Sequence, residues 1–161
     1  MLQSCQYFSS EKLRNGDVFD KHLYAQNKAG ETIYLDSIKN KIVLVDFWAT
    51  WCKPCRKANP DWQKLYEKYH EARFKQADGF EIFSVSLDEY RGAWQRAVAQ
   101  DSLDLPFLLI DERGLVDAPW GKKYKFTQLP TSYLLNADGV IIGVDLSPRK
   151  VGYVLQDEKL P

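Results

Sequence analysis

The chain has no excess of either charge: across 161 residues, 22 Lys and Arg balance 22 Asp and Glu. With no net field there is nothing to draw the protein to nucleic acid or to a membrane surface, and no run of like charges forms a polybasic or acidic tail. Its longest apolar run falls far short of the ~20 residues a membrane span needs. Cysteine is scarce: three residues, an odd number, two of them in one C-x-x-C, which argues against a disulfide-stapled scaffold. There are two histidines, His22 and His70, with no second C-x-x-C and no H-x-x-x-H pair, so the four ligands of a zinc site are not at hand. No internal repeat or low-complexity segment occurs. The length is that of one ordinary domain, long enough to bury a core.

The cysteine pair lies in Phe47-Trp48-Ala49-Thr50-Trp51-Cys52-Lys53-Pro54-Cys55. An apolar run, Ile42-Val43-Leu44-Val45, precedes it, broken by Asp46. After it Ala58, Trp62, Leu65, Tyr66 and Tyr69 recur at helical spacing. The two thiols therefore sit where a buried strand passes into an amphipathic helix. A helix N-terminus presents unpaired N–H groups and roughly half a positive charge, which favours the thiolate that does disulfide chemistry. Pro54 suits the first helical turn. Cys55 lies one turn beyond Cys52, so the two sulfurs can meet. The pattern predicts that Cys52 lies at the mouth and attacks, and that Cys55, inside the turn, resolves the mixed disulfide. Lys53 and Arg56 add positive charge expected to favour the Cys52 thiolate further. The bland readings are half of a zinc site and a pair of inert structural thiols. Haem attachment requires His after the second cysteine, and Arg56 stands there.

Residues 45–55 resemble the active-site segment of the thioredoxin superfamily, and Leu129-Pro130-Thr131 resembles its cis-proline loop. The long spacing between the two and the extra segment before the first core strand are similar to the TlpA/ResA-like branch of thiol–disulfide oxidoreductases. The resemblance runs from about Phe19 to about Leu155. It implies an α/β, thioredoxin-like fold: a central mixed sheet flanked by helices, with an N-terminal β-hairpin and a helix–strand insertion. It implies exchange of a Cys52–Cys55 dithiol with the disulfides of partner proteins, in the reductive direction. Electrons would come from an upstream dithiol protein, and no bound cofactor would be needed. A copper or zinc carrier and a thiol peroxidase are the rival readings; the upstream Pro and Thr that mark peroxiredoxins are missing. Many TlpA/ResA-like proteins carry a glutamate three residues after the second cysteine, where this chain has Ala58, and asparagine where it has Asp46. Asp46 is accordingly the expected proton acceptor for Cys55, its pKa raised by burial; a carboxylate held only by hydrogen bonds is the alternative. By the same resemblance Trp51, Leu129, Pro130 and Thr131 are expected to receive the partner, Lys53 and Pro54 to tune the thiolate, and the Leu129–Pro130 bond to be cis. Trp48 reads equally as site or core; Trp62, Trp94 and Trp120 read as packing.

Along the chain, residues 1–18 are polar and aperiodic and read as a loose tail before a domain over 19–161. Within it Leu2-Gln3-Ser4-Cys5 resembles the end of a bacterial lipoprotein signal without its basic and apolar parts. Cys5 is thus a candidate membrane tether, chance likeness being the other reading. The resemblance implies a periplasmic or extracytoplasmic setting, with the cytoplasm as alternative. Residues 22–26 and 32–35 read as a hairpin, 42–48 as a strand buried on both faces, and 54–70 as a helix kinked at Pro60. A strand over 80–87, a helix over 90–101, a short strand over 106–110 and a broken stretch over 115–125 follow. A hairpin over 132–144 turns at Gly139. Ser147 and Pro148 then read as N-cap and first residue of a final helix to about 156. Alternating strands and helices predict a layered domain with helices on both faces.

Overall fold

The computed structural model of the chain describes residues 12–161; Cys5 and its signal-like neighbours lie outside the described residues. Strands β1 (Tyr24–Gln26) and β2 (Thr32–Tyr34) form the N-terminal hairpin. A 3-10 turn leads to β3 (Ile42–Trp48), which runs into α1 (Lys53–Tyr69). A small hairpin follows, β4 (Arg73–Phe74) and β5 (Ala77–Asp78). Next come β6 (Phe80–Ser86), α2 (Arg91–Gln100), β7 (Phe107–Ile110) and two short helices, α3 (Gly114–Asp117) and α4 (Trp120–Tyr124). The chain ends with β8 (Thr131–Leu135), β9 (Ile141–Val144) and α5 (Pro148–Glu158). Ser147 caps α5, its hydroxyl accepting the Lys150 N–H.

Among the described residues the main sheet runs β2-β1-β7-β6-β3-β8-β9. β3, β6 and β7 are mutually parallel, while β8 pairs antiparallel with β3, β9 with β8, β1 with β7 and β2 with β1, so the sheet is mixed. The alternation of a strand sorts β3 onto two faces. Val43, Val45 and Phe47 join Phe19, Trp120, Tyr124 and Tyr133. Ile42 and Leu44 face the other way, into a core with Trp62, Tyr69, Val151 and Leu155 from α1 and α5. Trp48 follows the same parity, into a third cluster that includes both site cysteines and Trp94 of α2. Every residue of β3 is buried, and Asp46 is its one polar member.

Residues 12–18 depart from the expected loose tail. They run beside β9: Gly16 donates to Ile141 O, Ile141 to Asp17 O, Val18 bridges Val140, and Lys12 pairs with Asp145. The reason is that β9 is an edge strand, whose outward backbone groups need partners. Phe19 anchors the segment by stacking on Tyr124 at 4.2 Å. The small β4–β5 hairpin, which sequence pattern did not disclose, delivers the chain to Gly79. That residue has φ +120°, and a Cβ on it would stand 2.3 Å from His70 O. Gly79→Ala should therefore cost more than about 1 kcal/mol, read as a lower urea midpoint at unchanged m-value.

Candidate active site

The site is built where β3 ends. Cys52 is the N-cap of α1, with extended backbone, and its Sγ accepts the Cys55 N–H at 3.3 Å. Pro54 falls in the first turn, where no N–H is needed. The two sulfurs are joined in a disulfide, with the Cα atoms 5.3 Å apart.

The connecting turn is clamped from the neighbouring strand. β6 is parallel to β3, so both end at the same edge, and Leu87 N–H donates to Trp48 O. One residue on, the buried Asp88 accepts the Thr50 N–H at 2.9 Å, the Thr50 hydroxyl at 2.7 Å and the Ser86 hydroxyl at 2.5 Å. Trp48 and Trp94, both fully buried, close the floor beneath the cysteines. Trp94, which sequence read as packing, thus packs under the reacting atoms.

Two expectations at the cysteine turn itself change. Exposure does not separate the cysteines, since Cys52 is 5% and Cys55 3% exposed. The disulfide draws Sγ of Cys52 over the first turn, leaving Trp51, at 60%, as the projecting group. Arg56 does not stand free beside Cys52. Its guanidinium bonds both carboxylate oxygens of Asp101, at 2.5 and 2.7 Å, and Asn59 completes that carboxylate's shell. A charge neutralised in this way contributes little to a thiolate. Lys53 is exposed, beside Pro54.

The Leu129–Pro130 peptide is cis. Leu129 packs against the cluster that holds the cysteines, while Pro130 is exposed at the mouth. Thr131, grouped by sequence with the partner-receiving residues, is 1% exposed and donates its hydroxyl to Gln128 O at 2.8 Å. Its side chain braces the loop and does not face outward.

Behind the disulfide is a cavity of about 280 Å³ lined by Asp46, Cys55, Ala58, Trp62, Pro130, Ser132, Asp145, Leu146, Ser147 and Pro148. It reaches Cys55, and Cys52 is not among its walls. Burial, and after it the like charge of Asp145, push the Asp46 carboxyl up to about 7. The structure therefore brings Cys52, Cys55, Asp46, Trp51 and Pro130 to one edge of the sheet. It adds Asp88 and Asp145, which sequence reasoning missed. Asp145 carried one faint signal, its place between the β9 run and the Ser147-Pro148 cap. The histidines lie elsewhere: His22 sits 4.0 Å from Asp36, and His70 contacts Tyr66 O. Among the described residues no group of three or more His, Cys, Asp or Glu is placed to hold a metal ion.

A disulfide at a helix N-cap, beside a cis-proline loop in this sheet order, defines a thioredoxin-like thiol–disulfide oxidoreductase. The chain belongs to the AhpC/TSA family, whose model matches residues 19–144. It is 35% identical over 136 residues to the thiol-disulfide oxidoreductase ResA of Bacillus cereus, covering 84% of this chain and 72% of the relative. Among solved structures it is similar to the thioredoxin domain of a thiol-disulfide oxidoreductase from Bacteroides vulgatus. There the TM-score is 0.77 and identity 26%, over 90% of this chain and 97% of the other. A thiol-disulfide oxidoreductase from Bacteroides fragilis gives a TM-score of 0.71 at 28% identity, over 89% and 98%.

A carboxyl at about 7 in the fold and 3.8 outside it links stability to pH. Between those values the folded state holds a proton the unfolded state has lost, so this residue's contribution falls as pH rises through the window and is level above it. Asp46→Asn should remove that slope. Its stability relative to the parent should rise from pH 4 to pH 8 by on the order of 4 kcal/mol at most, measured by urea unfolding of the oxidised proteins at several pH values.

Proposed function

We propose that the protein reduces disulfides in partner proteins, with Cys52 as nucleophile, Cys55 as resolving thiol and Asp46 as proton acceptor. The observation that carries this reading is the cavity, which puts the buried carboxylate of Asp46 on the same side as Cys55.

In the reduced protein, Cys52 at the N-cap has the Cys55 N–H and the end of a 17-residue helix to stabilise its thiolate. The thiolate attacks a partner disulfide; one partner sulfur leaves as thiolate, and a Cys52–partner disulfide forms. The partner lies against exposed Trp51 and the Leu129-Pro130 loop, whose neighbouring backbone supports an extended segment. Cys55 then passes its proton to Asp46 and attacks Sγ of Cys52. The Cys52–Cys55 disulfide closes and the second partner sulfur leaves, taking a proton from solvent. Two electrons have moved from the cysteine pair to the partner, and another dithiol protein restores them. No bound cofactor enters the cycle. Burial of Asp46 suits it to the step, because an acceptor with a pKa near 7 takes a thiol proton more readily than an ordinary carboxylate. An extracytoplasmic setting, with Cys5 as tether, goes with this reading and is supported by the resemblance to the TlpA/ResA-like branch.

Cys55→Ser should trap a covalent complex with a disulfide client, released by dithiothreitol, while Cys52→Ser should trap none. Asp46→Asn should form the mixed disulfide at the parental rate and resolve it roughly 100-fold more slowly at neutral pH. Stopped-flow measurement of each step decides: resolution at the parental rate across pH would remove Asp46 from the mechanism, and equal trapping by both cysteine variants would reverse or void the thiol roles.

A further inference from the structure

Asp145 is the second carboxylate of the Asp46 cavity, and the cycle above gives it nothing to do. It stands just beyond β9 with φ +50°, a conformation that aspartate tolerates better than most residues. Ser132 holds it there. The Asp145 N–H donates to Ser132 O at 2.9 Å, and Asp145 Oδ1 accepts the Ser132 N–H at 2.9 Å. Ser132 is in turn the residue of β8 directly opposite Asp46 on β3. The three residues thus lie side by side across the sheet, on the α1 face, with Ser132 between the two aspartates. Two strand spacings put the aspartate backbones roughly 10 Å apart. Oδ2 of Asp145 takes the ammonium of Lys12, from the segment that runs beside β9.

The other groups that face Asp46 leave Asp145 as the charge that matters. From α1 come Cys55, Ala58 and Trp62; from the start of α5 come Ser147 and Pro148, at the positive end of that helix. On β6 the residue paired with Asp46 is Ser84, which is uncharged. Of the cavity walls, Asp46 and Asp145 carry the carboxyl groups, and Cys55 is ionisable only once the disulfide is reduced. Asp46 is 4% exposed, whereas the Asp145 side chain is 42% exposed. When two like charges share a cavity, the more buried one gives up its ionisation first.

We propose that Asp145, oriented by Ser132 and partly neutralised by Lys12, is a positioning residue that sets the pH at which Asp46 takes the Cys55 proton. The N-terminal segment thereby reaches the chemistry without touching a sulfur. With Lys12 on Asp145, the field on Asp46 is reduced; with Lys12 gone, Asp46 holds its proton to higher pH.

This inference rests on Asp46 being the acceptor, and two readouts separate the two claims. The first is the Asp46 carboxyl titration, followed by carbon-13 NMR in the oxidised protein. The second is the pH profile of mixed-disulfide resolution, followed by stopped flow with a peptide disulfide. Asp145→Asn removes the charge and keeps an oxygen for the Ser132 N–H. It should lower both midpoints, by up to about one pH unit, the low end of what a neighbouring charge produces. Lys12→Met should raise both. An Asp46 midpoint that neither variant moves overturns the proposal and leaves the acceptor reading intact. A midpoint that moves while the kinetic profile stays fixed overturns both, because Asp46 is then not the group the rate depends on. Should Asp145→Asn fail to fold, Lys12→Met alone carries the test, and an unmoved Asp46 midpoint in it overturns the proposal.

Discussion

The site depends on β3 having no face toward water. The strand is hydrogen-bonded on both edges, to β6 and to β8, and covered on both faces. Its C-terminal end is therefore fixed in space, and so is the point where the chain must turn into α1. Cys52 becomes the N-cap because the turn after Trp48 has only one place to go, with Asp88 at the end of the adjacent parallel strand gripping Thr50 through both its N–H and its hydroxyl. The same burial acts on Asp46. A carboxylate in the middle of such a strand loses its hydration, and its proton is held to a pH where water would already have taken it. One constraint thus places the thiols and adjusts the carboxyl behind them.

The two sulfurs meet different surroundings even though the disulfide hides both. Toward the mouth are Trp51, Pro130 and the N-terminal end of α1, where charge on sulfur is favoured. Toward the interior are Asp46 and the cavity that Cys55 lines. Below both lie the rings of Trp48 and Trp94. These give the disulfide an apolar floor, so the electrostatic influence of the helix end is screened less there than on the surface. The two sulfurs, one at the N-cap and one a single helical turn further on, thus face different chemistry.

Much of this was legible in the sequence, and the parts that were not share a cause. The apolar run over 42–48 read as a strand buried on both faces, with Asp46 as its one polar residue and the cysteine pair at the strand-to-helix boundary just beyond it. Ser147-Pro148 marked the start of α5 by local chemistry alone. Residues 12–18 gave no such signal, because they pair through backbone groups with an edge strand and need no side-chain pattern to do so. The β4–β5 hairpin has two-residue strands, too short for periodicity to register. Asp88 meets Thr50 38 residues away, and Arg56 meets Asp101 45 residues away; neither distance leaves a trace in spacing. The free charge expected at Arg56 failed for that reason.

The position of the carboxylate follows from what one cavity can hold. Many TlpA/ResA-like proteins, to which this chain is similar, carry a glutamate on the first turns of the active-site helix; here the position is Ala58, a wall of the Asp46 cavity. A glutamate there would bring a third acidic group into a space that already holds Asp46 and Asp145. Like charges in a low-dielectric pocket repel strongly, so at least one of the three would stay protonated through the neutral range, and the acceptor would no longer be a single defined group. With Ala58 and Trp62 as apolar walls, desolvation falls on Asp46 alone, and Asp145, half in water and paired with Lys12, supplies a graded second influence. Aspartate on the strand and alanine on the helix are thus two sides of one arrangement: a single buried carboxylate is compatible with an apolar residue at position 58.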